Sequence, residues 1–152
     1  MSRSPNPHST QPPSPAAPTP AGAPAGTPTP ALTPEQAQAF ADRWFAAWNT
    51  HDLDAIMACY EPTIEHSSPF IKRYNAGMPD ENDTALRGTD RVRDYFRRAL
   101  ERNPTLRFDP MHITTGLESV LLVYRRMNGD LAGEVFFLSP RGLIQRSVSH
   151  YG

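Results

Sequence analysis

The residues with the clearest chemical potential lie between Trp44 and Pro69, and the central one is a histidine. His66 follows Thr63, Ile64 and Glu65 on a short predicted strand, residues 63–67. Successive strand residues point to opposite faces, so Glu65 and His66 face opposite ways. An imidazole at the mouth of an apolar pocket titrates near neutral pH and can act as a general base. The alternative is a rim histidine bonded to a backbone carbonyl.

The other reactive groups give no comparable indication of catalysis or metal binding. Cys59 is the single cysteine and lies between apolar neighbours on a predicted helix, so we expect a buried, inert thiol. The histidines are scattered without ligand spacing, and we expect neither a metal nor another cofactor. The acidic run at residues 80–83 lacks the glycine and the final glutamate of a calcium loop.

Charge and hydropathy exclude several partners. The formal net charge of −1 gives no electrostatic case for nucleic acid or an acidic membrane. The arginines after Gly88 alternate with acids at spacings that predict Asp94–Arg98 and Arg97–Glu101 pairs. No apolar run is long enough to span a bilayer, and no hydrophobic stretch follows Arg3. We therefore expect a cytoplasmic protein with no membrane partner.

Composition divides the chain in two. Residues 1–33 are rich in Pro, Ala, Ser, Thr and Gly, with Leu32 as the one large apolar side chain other than Met1. Such a segment has little to bury against the entropy of ordering its backbone, so we predict a disordered tail. Residues 34–152 have the length of one domain.

Three helices are predicted at the start of that domain. Thr33 and Gln36 form a capping box, after which apolar residues recur at helical spacing. Asp52 is the predicted N-cap of a second helix, with Tyr60 on its buried side and Pro62 just past its end. Residues 68–87 read as an irregular loop, expected to be a lid or disordered. A third helix opens at Gly88.

The period changes to two after Pro104. Strands are predicted over 106–113, 117–127, 131–138 and 143–151. Asn128-Gly129 predicts a hairpin with a type I′ turn between the second and third of them. Helices followed by an antiparallel meander indicate an α+β domain with its helices on one face of the sheet.

The order of these elements, together with short motifs, resembles the nuclear transport factor 2-like superfamily, and its SnoaL-like (polyketide cyclase and ketosteroid isomerase-like) branch in particular. The resemblance covers residues 34–152. It is carried by Trp44, the runs 51–56 and 60–66, Arg87-Gly88-Thr89-Asp90, Glu134-Val135-Phe136 and His150-Tyr151.

The resemblance implies a cystatin-like α+β barrel, in which a conical, curved, mixed but mostly antiparallel sheet is wrapped around N-terminal helices. Isomerase-like members place a catalytic carboxylate at the end of the first strand, opposite a tyrosine and a protonated carboxylic acid. Matched by position, the base corresponds to His66, the acid to Glu134 and the tyrosine to Trp44. Because all three residue types differ, the match does not favour steroid isomerisation.

A reaction class still follows from this match. His66 would abstract a proton next to a carbonyl, and a neutral, buried Glu134 would donate to the oxyanion, as a protonated aspartate does in ketosteroid isomerase. Isomerisation, ring closure or loss of water on a small apolar, carbonyl-bearing ligand would follow. The expected pocket residues are Trp44, Trp48, Tyr60, Phe136 and either Tyr151 or His150, with Tyr151 favoured by the isomerase-like register.

Alternatives remain open at this point. In one alternative, Glu134 forms a salt bridge with Arg125 or Arg146 and the aromatic residues are plain core. In another, the domain is a non-catalytic module that binds a ligand or a protein. Val135 and Phe137 alternate outward from Glu134 and give an apolar outer sheet face, so we also expect a homodimer.

Overall fold

A computed structural model describes residues 31–152 of the chain. The predicted tail therefore lies outside the described residues, apart from its last three. Four helices and six strands follow in the order α1 Pro34–Asn49, α2 Leu53–Met57, β1 Tyr60–Ser67, α3 Ile71–Tyr74, β2 Leu86–Arg87, α4 Thr89–Arg102, β3 Asp109–Thr115, β4 Ser119–Arg125, β5 Leu131–Leu138 and β6 Ile144–Tyr151.

The two helix starts predicted from capping side chains are confirmed. The Thr33 hydroxyl accepts from the Gln36 amide at 3.1 Å, and the Gln36 side chain accepts from the Thr33 amide at 2.9 Å. The Asp52 carboxylate accepts from the Ala55 amide at 3.0 Å at the start of α2. These bonds satisfy backbone donors that have no partner within the helix. Within residues 31–152, none of the helices has the length and apolar character needed to cross a membrane.

The six strands form one curved sheet that does not close into a barrel, in the order β2-β1-β6-β5-β4-β3. Neighbouring strands are antiparallel except β1 and β6, which are parallel. The predicted α+β class is therefore confirmed. Alternate residues of β4, β5 and β6 are buried, and they form the inner face on which the helices pack.

The predicted boundary between α2 and β1 is wrong. The helix ends at Met57, and Tyr60 begins β1, where it pairs with Ile144 of β6. Pro62 lies inside β1 at a shift in register, a position where a residue without an amide hydrogen is tolerated. Pairing with β6 therefore extends the strand back past the proline that was expected only to end a helix.

Residues 68–87 are also more ordered than predicted. They contain α3 and β2, and β2 pairs with β1 through Leu86 and His66. Asn75 is fully buried; its carbonyl accepts from the Arg98 guanidinium at 2.8 Å, and its amide donates to Asp80 at 3.0 Å. These contacts hold the segment against α4.

The predicted hairpin is present, but its turn type is not the predicted one. The Gly129 amide donates to the Arg126 carbonyl, and the Arg126 amide donates to the Asp130 carbonyl, both at 2.9 Å. Gly129 has φ of +88°, whereas Asn128 does not have the positive φ that a type I′ turn requires. The loop is therefore a type I turn followed by a glycine bulge.

The salt-bridged surface of α4 is confirmed. Arg97 contacts Glu101 at 2.8 Å, and Arg98 contacts Asp94. The Arg97–Glu101 pair is exposed, and a pair of this kind contributes at most about 1 kcal/mol, so it solvates the helix more than it holds the fold.

Candidate functional site

A cavity of about 260 Å³ lies between the inner face of the sheet and the helices. His66 and Glu134 both contribute to its wall, although 68 positions separate them in the chain (134 − 66). Trp44, Trp48, Tyr60 and Tyr151, which were predicted as pocket residues, line it as well.

Two predicted pocket residues do not line the cavity. Phe136 is fully buried and packs edge-on against Phe40, with ring centroids 5.5 Å apart, and against Trp44 at 5.3 Å. It is core because α1 covers its position on β5. His150 is exposed and points to the opposite face of β6 from Tyr151, as strand alternation requires.

His66 lies deep in the cavity rather than at its mouth. It is 3% exposed, its Nδ1 lies 2.7 Å from the Ser147 hydroxyl, and the rings of Tyr95 and Phe96 flank it. Burial lowers the pKa of His66 from 6.5 to about 3, because the charged imidazolium loses its hydration. His66 is thus neutral at physiological pH, and the expectation that it titrates near neutrality is wrong.

The contacts of His66 still leave it a role. Its Ser147 partner is a side chain, so it is not the rim histidine bonded to a backbone carbonyl. Within residues 31–152, Nε2 makes no hydrogen bond. A neutral imidazole has one donor and one acceptor nitrogen, so Nε2 is available to a ligand.

Glu134 is the group that titrates near neutral pH. It is 4% exposed; Oε1 accepts from the Tyr124 hydroxyl at 3.2 Å and Oε2 from the Ser149 hydroxyl at 2.9 Å. Burial raises the pKa of Glu134 from 4.5 to about 7, against the opposing effect of those two hydrogen bonds. A carboxyl group with this pKa exchanges protons readily at physiological pH.

Neither Arg125 nor Arg146 neutralises this carboxyl group. Arg125 donates instead to the Gly129 carbonyl at 2.7 Å, and the Arg146 guanidinium lies over the Phe137 ring. Within the described part of the chain, Glu134 has no cationic partner within salt-bridge distance. The alternative of a structural ion pair is thereby excluded for both arginines.

Two buried donors form a second polar group on the cavity wall. Trp44 Nε1 donates to the Tyr60 hydroxyl at 3.1 Å, so Trp44 acts behind Tyr60 rather than in the place of a donor tyrosine. Burial raises the pKa of Tyr60, which keeps its proton, and that proton has no acceptor within residues 31–152. Trp48 is close enough to the Tyr60 hydroxyl to lower the pKa of Tyr60, but its buried Nε1 makes no hydrogen bond of acceptable geometry to the described residues. Unpaired buried donors are rare, and a ligand oxygen would satisfy them.

The three polar residues that bond to Glu134 and His66 were not predicted. Tyr124, Ser147 and Ser149 hold Glu134 and His66 in place through the hydrogen bonds described above. All three occupy buried, inward positions of β4 and β6. Polar side chains at inward strand positions were the signal that could have identified them, because buried polar groups are normally hydrogen-bonded.

The open end of the cavity is basic. Its exposed lining residues are Arg73, Arg107, Met127 and Asn128, and the half-buried Arg126 lies beside them. In residues 31–152, no three His, Cys, Asp or Glu side chains lie close enough together to hold a metal ion.

Comparison with known proteins identifies the family of this chain. The family model of the SnoaL-like domain matches residues 41–142. A SnoaL-like protein of unknown function from Burkholderia thailandensis is 37% identical, with a TM-score of 0.72 over 80% of this chain and 98% of that one. No curated protein matches the sequence significantly.

More distant solved structures share the fold. A proposed isomerase of the SnoaL-like family from Agrobacterium tumefaciens is 16% identical, with a TM-score of 0.60 over 78% of this chain and 98% of that one. A proposed polyketide cyclase from Sinorhizobium meliloti is 13% identical, with a TM-score of 0.58 over 74% of this chain and 94% of that one. The family match and the 37% identity establish the assignment: this chain belongs to the SnoaL-like family.

Proposed function

We propose that this domain binds a small, largely apolar, carbonyl-bearing molecule and moves a proton at the carbon next to its carbonyl group, with Glu134 as the proton acceptor. The observation that carries the proposal is a buried carboxyl group with a pKa of about 7 on the wall of an aromatic cavity. The similarity to a proposed isomerase and a proposed polyketide cyclase is consistent with this class of reaction.

The cavity limits the size of the ligand. At about 260 Å³ it lies just below the range of roughly 300–1,000 Å³ typical of pockets for drug-sized molecules. Its buried walls are mainly the aromatic rings of α1, α4 and β4. A molecule of one or two rings suits both its volume and its apolar surface.

Glu134 and His66 exchange the roles that the sequence suggested. With a pKa of about 3, His66 is a weak base, whereas Glu134 with a pKa of about 7 is partly ionised at neutral pH. An efficient general base has a pKa near the working pH. His66 therefore serves as a neutral hydrogen-bond partner for the ligand.

The proton transfer balances with protein groups alone. The C–H bond next to the carbonyl breaks, its proton goes to Glu134, and the electron pair moves onto the carbonyl oxygen. That oxygen accepts hydrogen bonds from the Tyr60 hydroxyl and Trp48 Nε1, neither of which donates to an acceptor in residues 31–152. Burial raises the pKa of Tyr60, and the Glu134 charge adds to this, which indicates that the two groups are close enough to interact. Return of the proton to another atom gives isomerisation, while attack of the enolate gives ring closure.

Exchange of the α-protons of 2-tetralone in D₂O, followed by ¹H NMR, tests this step directly. We expect wild-type protein to accelerate exchange, and Glu134→Gln to lower the enzymatic rate about 10²- to 10⁴-fold, the usual contribution of a general base. Glu65→Gln is the matched control, because Glu65 lies on β1 and pairs with exposed Arg87. Its rate should stay within about twofold of wild type, since the residue does not line the cavity.

The pH dependence follows from the same group. The ionised carboxylate is the active form, so the exchange rate should rise through about pH 7 and level off above it. Wild-type exchange no faster than in buffer, or full activity in Glu134→Gln, would contradict the proposal.

A non-catalytic binding module is the second candidate. The unbonded Trp48 Nε1 favours it, because an unpaired donor on a residue that lines the cavity is consistent with a bound acceptor whether or not a reaction follows. Ligand binding without α-proton exchange would support this function over the first.

The proposed dimer uses the opposite face of the sheet. Leu121, Val135 and Val148 are direct neighbours in register across β4, β5 and β6, and each is only half-buried in the single chain. A row of apolar side chains of this kind is normally covered by a partner. A single monomeric species in sedimentation at micromolar concentration would contradict the dimer.

A further inference from the structure

We propose that the ligand of this cavity carries a carboxylate, and that Arg126, with Arg107 and Arg73, binds this group at the cavity mouth. The inference rests on the proposed function only in taking the cavity as the ligand site. It adds a charged end to a molecule whose other end is a carbonyl group.

Within residues 31–152, seven arginines lack an acidic partner: the three at the cavity mouth, and Arg43, Arg102, Arg125 and Arg146, which do not line the cavity. Each of six other arginines pairs with a carboxylate: Arg87, Arg91, Arg93, Arg97, Arg98 and Arg141. Among residues 31–152, no carboxylate lies within salt-bridge distance of Arg73, Arg107 or Arg126. Residues 1–30 contain no Asp or Glu, so they cannot supply one. Three cationic groups thus converge on one opening without a counter-ion from their own chain.

Arg126 is held in place without using its hydrogen-bond donors. Its guanidinium lies 5.1 Å from the centroid of Phe70 and 5.0 Å from that of Tyr151, and these two rings stack at 4.1 Å. Cation–π contacts fix the position of the group but leave its N–H donors free, and it makes no side-chain hydrogen bond to residues 31–152. A planar guanidinium with free donors matches a carboxylate in a two-point contact.

The charge of Arg126 also reaches the interior of the site. Burial raises the pKa of Tyr124 and of Tyr151, and the positive charge of Arg126 opposes both shifts. Tyr124 is the residue that donates to Glu134. Arg126 is therefore near the path from the mouth to the proposed base.

The distribution of burial along the cavity orients the ligand. Arg73 and Arg107 are exposed and Arg126 is half-buried, whereas Glu134 and His66 are almost fully buried. Aromatic rings line the space between the two ends. A carboxylate would remain in the hydrated mouth, where its desolvation is limited, while the apolar part and the carbonyl group enter the cavity.

Two probes with the same ring system separate charge from shape. We would measure by calorimetry the binding of 2-naphthoate and of neutral 2-naphthamide to wild-type protein, at about pH 6 and physiological salt. At this pH the naphthoate is charged and most Glu134 is protonated, because its pKa is about 7. We expect 2-naphthoate to bind at least about tenfold more tightly, as one charge-assisted contact allows.

Substitutions at one position assign that preference. Arg126→Gln should weaken binding of 2-naphthoate about tenfold and change binding of 2-naphthamide less than about twofold. Arg126→Lys keeps the charge but loses the planar guanidinium, so its affinity for 2-naphthoate should lie between those of wild type and Arg126→Gln. Lys72→Gln is the matched control: it removes one positive charge from α3 at an exposed residue that does not line the cavity, and both affinities should stay within about twofold of wild type.

The outcomes distinguish this inference from the proposed function. Equal binding of the two probes, an equal loss of both in Arg126→Gln, or no binding of either at millimolar concentration would each overturn the carboxylate site. Preference for 2-naphthoate that depends on Arg126 supports the site even if 2-tetralone exchange is absent, in which case only the proton-transfer function fails. Exchange without the preference leaves the function and removes the carboxylate.

Discussion

Glu134 and Phe136 occupy neighbouring inward positions of β5, yet the regions around them differ in kind. Phe136 is fully buried, contacts Phe40 and Trp44, and does not line the cavity. Glu134 is equally buried but lies against the cavity, where it contacts Tyr124 and Ser149. Trp44 separates the two regions, since it packs on Phe136 and also lines the cavity.

Burial has opposite consequences at these two positions, which are only two residues apart. An aromatic ring in a packed core stabilises the fold through its contacts and its removal from water. A carboxyl group at the same depth destabilises the fold when it ionises, because its hydration is lost. A group that is retained although it lowers the stability of the fold is a candidate for function. The following experiments test this difference between Phe136 and Glu134.

Replacing Phe136 should have the largest effect on stability. Phe136→Ala removes a fully buried ring and should lower the free energy of unfolding by about 3–5 kcal/mol, measured by urea denaturation. Phe70→Ala is the counterpart on the cavity side, where the ring is half-buried and stacked on Tyr151. It should lose less, about 1–2 kcal/mol. Equal losses would mean that the cavity side is packed as tightly as the core.

Glu134→Gln should raise stability, but only above acidic pH. The folded pKa of about 7 exceeds the ordinary value of 4.5, so the unfolded chain loses its proton first as pH rises. Stability is therefore unaffected by this group below about pH 4.5 and decreases up to about pH 7, with a full cost of about 3 kcal/mol. The variant should unfold at a higher temperature than wild type at about pH 8 and show no such gain at about pH 4.

The pH dependence of stability that remains in the Glu134→Gln variant makes this test more specific. His66 has a folded pKa of about 3 against an ordinary value of 6.5, so the folded state is stabilised above pH 6.5 and loses that stability as pH falls toward 3. The variant should thus gain stability with rising pH up to about 6.5 and then remain level. A continued decrease in its stability between pH 6.5 and 8 would point to another group.

Ser149→Ala should produce the smallest change. Ser149 donates to Glu134 Oε2 and lowers its pKa, so removal of the hydroxyl should move the midpoint of the exchange profile to higher pH. Ser147→Ala is the matched control, because that serine contacts His66 rather than Glu134. An identical midpoint shift in both variants would show that the effect is not specific to the Glu134 hydrogen bond.

Local signals account for what the sequence predicted correctly. The capping box at Thr33, the N-cap at Asp52 and the period-two pattern of β5 depend on neighbouring residues, and the structure contains all three. The start of β1 was misassigned because Tyr60 pairs with Ile144, a contact between distant parts of the chain. Local pattern has no access to such pairing.

The chemistry of the site was harder to predict for the same reason. The pKa of His66 depends on its depth behind Tyr95 and Phe96 of α4, and not on its own strand. Only the fold brings Arg73 from α3 and Arg126 from the β4–β5 turn to one opening. Residue types suggested a base and an acid, and the proposed exchange of these two roles depends on environments that only the fold provides.

The titration of Glu134 is the most direct test of the account. The carboxyl carbon can be followed by ¹³C NMR in protein labelled at glutamate, with its signal assigned by absence from Glu134→Gln. A midpoint near pH 7 is the predicted result, because burial outweighs the hydrogen bonds from Tyr124 and Ser149. A midpoint at or below the ordinary value of 4.5 would contradict the assignment of Glu134 as the proton acceptor at neutral pH.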